Sequence, residues 1–267
     1  MSEAAKESTD VSGRASITDS YPLLPIKRST IPNKPTVSLV TATYNRRKFF
    51  PALIQMVKNQ DYPLELIEWV ILDDGSDKIG DLFVGLPWVK YHALEEKINI
   101  GTKRNILNRL ATHEIVVNLD DDDYYPSTRV SEAVKKLTSS KKVAGGCTTL
   151  YVYFVDTKDI YCIGPFGDNH STNGPLAYFN TYGRSHRYVE NVTQAEEASF
   201  MENYTIPMAQ FDPIKTMLVL AHKENTFDKR GFREKDNPIV KRTAMKLKNF
   251  VKEKSIRDFY EGLQREI

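Results

Sequence analysis

From Val37 to Asn118 the chain alternates between two periodicities. "VSLV", "LIEWVIL", "WVKYHAL" and "EIVVNL" are short, apolar and rich in β-branched residues, the pattern of strands covered on both faces. Between them, "FFPALIQMVKNQ" places Phe50, Leu53, Ile54 and Val57 at helical spacing, with Pro51 tolerated in a first turn. "GTKRNILNRLATH" does the same with Ile106, Leu107 and Leu110. Strands alternating with helices of this length predict an α/β domain with a mixed, mostly parallel sheet flanked by helices. Ligands of such sheets bind beyond the carboxyl ends of the strands. Asn45, Asp73–Asp74 and Asp120–Asp123 all stand at those ends, so a site is expected there.

After Ser140 the pattern changes. "VAGGCTTLYVYFVD" and "IYCIG" predict longer antiparallel strands, followed by a Gly- and Asn-rich loop over Gly164–Pro175. A short strand "LAYFN", a helix around Glu196–Tyr204 and a last strand "TMLVLAH" come next. From about Asn237 a helical tail is expected, with Val240, Ala244, Leu247 and Val251 on one face. Residues 1–35 are polar and then proline-rich, and read as a flexible arm. The expected organisation is thus an arm (1–35), a catalytic domain (36–228) and a basic helical extension (229–267). That extension carries twelve Lys/Arg against six Asp/Glu, which leaves −4 of the net +2 charge to the rest. The two cysteines, Cys147 and Cys162, form no disulfide framework, and no apolar stretch or leader is visible. A cytoplasmic setting is expected.

Four consecutive aspartates in "VVNLDDDDYYP" repel one another where a buried strand ends. A bound cation, basic neighbours or water must compensate them. In order along the chain, "VSLVTATYNRRKFF", "LIEWVILDDGSD", "NIGTKRN", "VNLDDDDYYP" and "AEEASF" resemble a family 2 glycosyltransferase of the GT-A (Rossmann-like) fold, over residues 36–228.

The resemblance implies a role for each motif. Asp120 and Asp122 match an Asp-x-Asp motif that touches the ribose and holds Mn²⁺ or Mg²⁺, with Asp122 the preferred metal ligand; a one-residue shift in register would favour Asp121. Hard oxygen ligands suit these ions, and the ion would offset charge on a leaving diphosphate. Thr43 and Tyr44 line the nucleotide, with Tyr44 stacked on the base. Asp74 accepts the N3–H of a uracil-like ring, and Asp73 supports the turn or the ribose. Arg104 reaches the base or phosphates, Gly101 permits a close loop, and Lys103 is a further basic neighbour. Glu197 matches the base that deprotonates the acceptor, ahead of Glu196. His222 is a candidate metal ligand and Lys223 a candidate phosphate contact. His170, Asn173 and Tyr178 are candidate acceptor contacts.

Each motif has a plainer reading: a solvated acidic turn for the aspartates, an Asx turn at Gly75, a charged helix start for Glu196–Glu197. Together they predict an inverting, metal-dependent, non-processive transfer of one sugar from a UDP-sugar to a glycan or other hydroxyl acceptor. Processive relatives carry a Gln-x-x-Arg-Trp motif, which is missing here, since Trp69 and Trp88 both precede the expected base. Two other classes compete. A nucleotidyltransferase would want glycines after the first strand, which "TATYNRR" lacks. A non-catalytic nucleotide-sugar binding module would keep the pocket without turnover. Aromatics do not interleave with the basic tail as nucleic-acid binding requires, whereas contact with an anionic membrane surface is compatible with it.

Overall fold

The computed structural model describes residues 16–32, 34–192, 195–225, 229–234 and 237–263. The first half follows the predicted alternation: β1 (Val37–Thr43), α1 (Phe50–Lys58), β2 (Ile67–Asp73), β3 (Val89–Ala93), α2 (Ile100–Leu110), β4 (Ile115–Asn118) and α3 (Arg129–Ser139). Then come β5 (Ala144–Gly146), β6 (Leu150–Phe154), β7 (Asp159–Ile163), β8 (Ala177–Phe179), α4 (Asn180–Ser185), α5 (Glu197–Phe200), β9 (Met208–Gln210), α6 (Pro213–Thr216) and β10 (Val219–Ala221). The chain closes with α7 (Gly231–Glu234), β11 (Val240–Arg242), α8 (Leu247–Phe250) and α9 (Lys254–Gly262).

Seven strands form the main sheet in the order β3-β2-β1-β4-β8-β5-β9. β3, β2, β1 and β4 run parallel, and β8 lies antiparallel to both β4 and β5. β1 and β2 are buried almost throughout, because helices cover both faces. Phe50, Leu53, Met56 and Val57 of α1 pack with Leu39, Trp69 and Ile71 on one side, while Ile106, Leu107 and Leu110 of α2 pack with Val40, Val70 and Val116 on the other. Each such side chain contributes about 1.5–3 kcal/mol on burial. Alternate residues of one strand thus face different helices, which explains a continuous apolar run where a half-exposed strand would alternate.

The expected single strand across "VAGGCTTLYVYFVD" is two. β5 stays in the main sheet and β6 joins a second, four-stranded sheet, β10-β6-β7-β11. The break falls after Gly145–Gly146, where the backbone passes so close to Phe211 that a Cβ on Gly145 would sit 2.4 Å from its ring. The tail also departs from expectation at its start. Val240–Arg242 is a strand, antiparallel to β7, so its backbone bonds go to Tyr161–Ile163 instead of into a helical turn. Helix appears only at α8 and α9, where Leu247, Phe250, Val251, Ile256, Tyr260 and Leu263 are all buried in the larger core. The described part of the arm opens with a 3₁₀ turn over Ile17–Ser20, runs on largely without regular structure, and is anchored. Ser16 and Thr18 donate to Glu190 at 2.6 and 2.7 Å, and the carbonyl of Tyr21 accepts from Arg109 at 2.7 Å. Residues 1–15 lie outside the described residues.

Candidate active site

The parallel strands end on one edge of the sheet, and the polar clusters meet there. The four aspartates do not act as one group. Asp120 accepts from Arg104 Nη2 at 2.7 Å. Asp121 and Asp122 both lie 3.9 Å from the guanidinium of Arg46. Asp122 also meets His222 Nε2 and Asn225 Nδ2, each at 3.1 Å. Asp123 points away, accepting from the backbone N–H of Leu220 at 2.8 Å, while its own carbonyl accepts from Tyr260 at 3.3 Å.

These surroundings separate the acidities. Burial and the charge of Asp122 push the Asp121 carboxyl up to about 7. Burial also raises Asp122, but the hydrogen bond and charge of His222 overcome it, so its net shift is downward. Asp123 is pushed well above the ordinary carboxylate value by burial and then by the charge of Asp122. Asp123 is therefore a structural member of the run. The other three face the sheet edge.

Arg104 joins this acidic turn to a second one. It is buried on α2, with Nε 3.5 Å from Glu196 and Nη2 on Asp120. A guanidinium only donates, so the Asn173 amide is assigned with its oxygen toward it, accepting from Nη2 at 2.7 Å. Burial works against the charge of Arg104, but Asp120 and Glu196 hold it firmly protonated. Glu197, the first residue of α5, is 8% exposed. Burial and the neighbouring Glu196 charge raise it to about 7. It thus takes up a proton near neutrality, as a general base must.

The nucleotide side of the site departs from expectation at one position. Asp73 accepts from Gly75 N at 2.8 Å and from Tyr91 Oη at 2.7 Å, the turn-supporting role foreseen for it. Asp74 does not offer a free carboxylate to a base edge. One oxygen accepts from Lys103 Nζ at 2.7 Å and the other from Ile98 N at 2.9 Å, and its side chain is fully buried. Tyr44 is 39% exposed, as a stacking platform requires, with Lys97 Nζ 4.1 Å from its ring centre. Thr43 ends β1 beside Asp121, and its hydroxyl helps hold that carboxyl down against burial. Gly101 is needed for close approach, though of protein: a Cβ there would lie 2.0 Å from the Val189 carbonyl.

On the acceptor side, the His170 ring packs between Phe166 and Tyr204, at centroid distances of 4.8 and 4.3 Å. Asn173 lies under Arg104, inside the wall of the site. Tyr178 corrects the expectation: it belongs to β8, is fully buried, and spends its hydroxyl on Asn108 at 2.7 Å. A strand residue facing α2 cannot line the loop that precedes it. Lys223 stands next to His222, just after β10. Sequence reasoning passed over Arg46, Lys97 and Asn225. Only Arg46 had a signal, as a cation directly after the strand-end "YN".

The residues present fit a divalent cation. Asp121 and Asp122 are neighbouring, partly buried carboxylates that resist joint ionisation, which a cation would relieve. Among the described residues no three His, Cys, Asp or Glu side chains converge as a complete metal cage. One or two carboxylates completed by ligand and water oxygens is the usual arrangement for such ions beside a diphosphate.

The solved structures similar to the chain include the mannosyltransferase PcManGT from Pyrobaculum calidifontis in complex with GDP-Man and Mn²⁺, at 18% identity and a TM-score of 0.58, covering 75% of this chain and 61% of that one. S. aureus TarS 1-349 in complex with UDP-GlcNAc is similar at 17% identity and a TM-score of 0.54, covering 71% and 60%. At these identities the likeness is one of fold, and the chain spans about three fifths of each of those structures. No curated relative matches. The family model described as glycosyl transferase family 2 matches residues 38–185, more than half of the sequence, and the chain belongs to that family.

Proposed function

We propose that the protein is an inverting, metal-dependent glycosyltransferase that moves a single sugar from a UDP-sugar to a hydroxyl of a glycan or other acceptor. The observation that carries this reading is the pairing of two acidic centres through Arg104: Asp120–Asp122 at the end of β4, and Glu196–Glu197 at the start of α5. The first is built for a diphosphate and its cation, the second for a proton.

In this reading Asp121 and Asp122, with His222 beside them, hold Mn²⁺ or Mg²⁺. When bound, that ion offsets the charge on the departing diphosphate. Asp120 and Thr43 face the ribose, and Tyr44 carries the base. Glu197 takes the proton of the acceptor hydroxyl as its oxygen attacks the anomeric carbon from the face opposite the diphosphate. One C–O bond forms, the bond to the diphosphate oxygen breaks, and the bond's electron pair leaves on UDP. Arg104 fixes Asp120 and Glu196, and so keeps the two centres in register. His170 and its aromatic neighbours border the acceptor. Residues 36–228 act as the catalytic unit, 1–35 as an arm and 229–267 as a basic extension packed on it. Among the described residues no helix is long and apolar enough to cross a membrane, and we place the enzyme in the cytoplasm.

The test is nucleotide release from a panel of UDP-, dTDP- and GDP-sugars with Mn²⁺ or Mg²⁺, then with EDTA. Metal-dependent release from one donor, lost in Asp122→Ala, establishes the reading and names the sugar. Nucleotide binding without release from any donor, with every class of acceptor supplied, overturns it.

A further inference from the structure

Lys103 is a costly residue for its position. It lies on the buried face of α2 with a side chain only 7% exposed, and burial pulls its pKa below the ordinary value. An ammonium has three N–H donors. One goes to Asp74 Oδ1 at 2.7 Å, and a second, longer one to the carbonyl of Thr43 at 3.4 Å. The third has no acceptor among the described residues. That Thr43 carbonyl belongs to the peptide that leads into Tyr44, the exposed ring at the end of β1, so the ammonium sits one peptide away from the stacking platform. Asp74 has no oxygen to spare, with Lys103 on one and Ile98 N on the other.

We infer that the base of the donor nucleotide is read by the Lys103 ammonium, which donates its free N–H to a carbonyl on the base edge, while Asp74 is the positioning counter-ion that holds Lys103 in place. The inference rests on the proposed nucleotide site and changes how that site discriminates. A carboxylate at the base edge selects an N–H; a cation there selects an oxo group. Bases with a ring carbonyl (uracil, thymine, cytosine, guanine) meet this requirement, and adenine does not. A purely structural Lys103 would neutralise Asp74 and leave the base preference to other groups.

The experiment is titration calorimetry of the full chain with UDP, ADP and ribose 5-diphosphate, a base-free control, in the presence of Mg²⁺. Wild type should bind UDP at least tenfold more tightly than ADP. Lys103→Met should weaken UDP about 10- to 100-fold, the range for a hydrogen bond from a charged donor, and leave ribose 5-diphosphate unchanged. Asp74→Asn keeps one oxygen, which serves Lys103, and gives up the contact with Ile98 N, and should weaken UDP less than fivefold. Because Lys103→Met leaves Asp74 buried without its partner, the double variant Lys103→Met/Asp74→Asn is measured as well, with its melting followed by circular dichroism. It should fold and lose UDP as the single variant does. The inference is overturned if Asp74→Asn loses UDP while Lys103→Met keeps it, or if Lys103→Met lowers stability alone. A wild-type chain that binds UDP no better than ribose 5-diphosphate would sink the nucleotide site itself, a different result from either.

Discussion

Glu197 and Asp123 are both carboxyls raised by burial, yet they call for opposite experiments. In the proposed reaction Glu197 is the base, so its proton would be part of the chemistry. Activity should rise with pH through about 7 and level off above, and Glu197→Gln should lose about 10²- to 10⁴-fold in kcat while UDP binding stays. Stability runs the other way. The folded pKa lies above the unfolded one, so between the ordinary carboxylate value and about 7 the folded state holds the extra proton, and stability falls as pH rises across that window. Removing the charge should therefore stabilise the Glu197→Gln variant by about 1–3 kcal/mol at pH 8, read as a higher Tm. Asp123 points away from the site and spends its oxygen on Leu220 N. Asp123→Asn should retain near wild-type turnover, whereas Asp122→Asn should abolish Mn²⁺ binding measured by electron paramagnetic resonance. Equal losses in the two variants would mean that the aspartates act as one cluster after all.

The elements show which parts of the fold can be read from sequence and which cannot. β1, β2 and β4 are legible because Val37–Val40, Trp69–Leu72 and Ile115–Val117 are buried on both faces, so local composition states their environment directly. β11 is not legible. "VKR" is three residues with no pattern of its own, and it becomes a strand only because β7 offers it an edge. The split between β5 and β6 is hidden for a related reason, since it depends on Phe211 arriving from far along the chain. Residue types and chain order single out Asp120–Asp122, Glu197 and His222, and the fold brings Asp122 to His222 and links Asp120 through Arg104 to Glu196 beside Glu197. The pairing of Lys103 with Asp74 depends on the packing of α2 against the ends of β1 and β2, which no spacing reveals. That packing is tight at Gly101. Gly101→Ala would drive a methyl into the Val189 carbonyl, and should cost about 1–3 kcal/mol, seen as a fall of several degrees in Tm. An unchanged Tm would show that the segment around Val189 yields freely.

At the scale of the molecule, the site lies across a seam. Asp121 and Asp122 follow a strand of the main sheet, whereas His222 follows β10 of the second sheet. A cation held by both should tie the sheets together, and Mn²⁺ at about a hundred times its Kd should stabilise the chain by about 2.7 kcal/mol. Thermal melting with and without Mn²⁺ measures this, and the increment should vanish in Asp122→Asn. The acidic turn is also clamped from late in the sequence, by Leu220 from 97 positions away and by Tyr260 from 137. A nascent chain therefore carries an acidic turn that has only Arg46 and Arg104 to meet it until β10 and α9 have been translated. The first four strands can assemble during that interval, but the site cannot, so a ribosome stalled within α8 would carry a folded sheet with no competent enzyme on it.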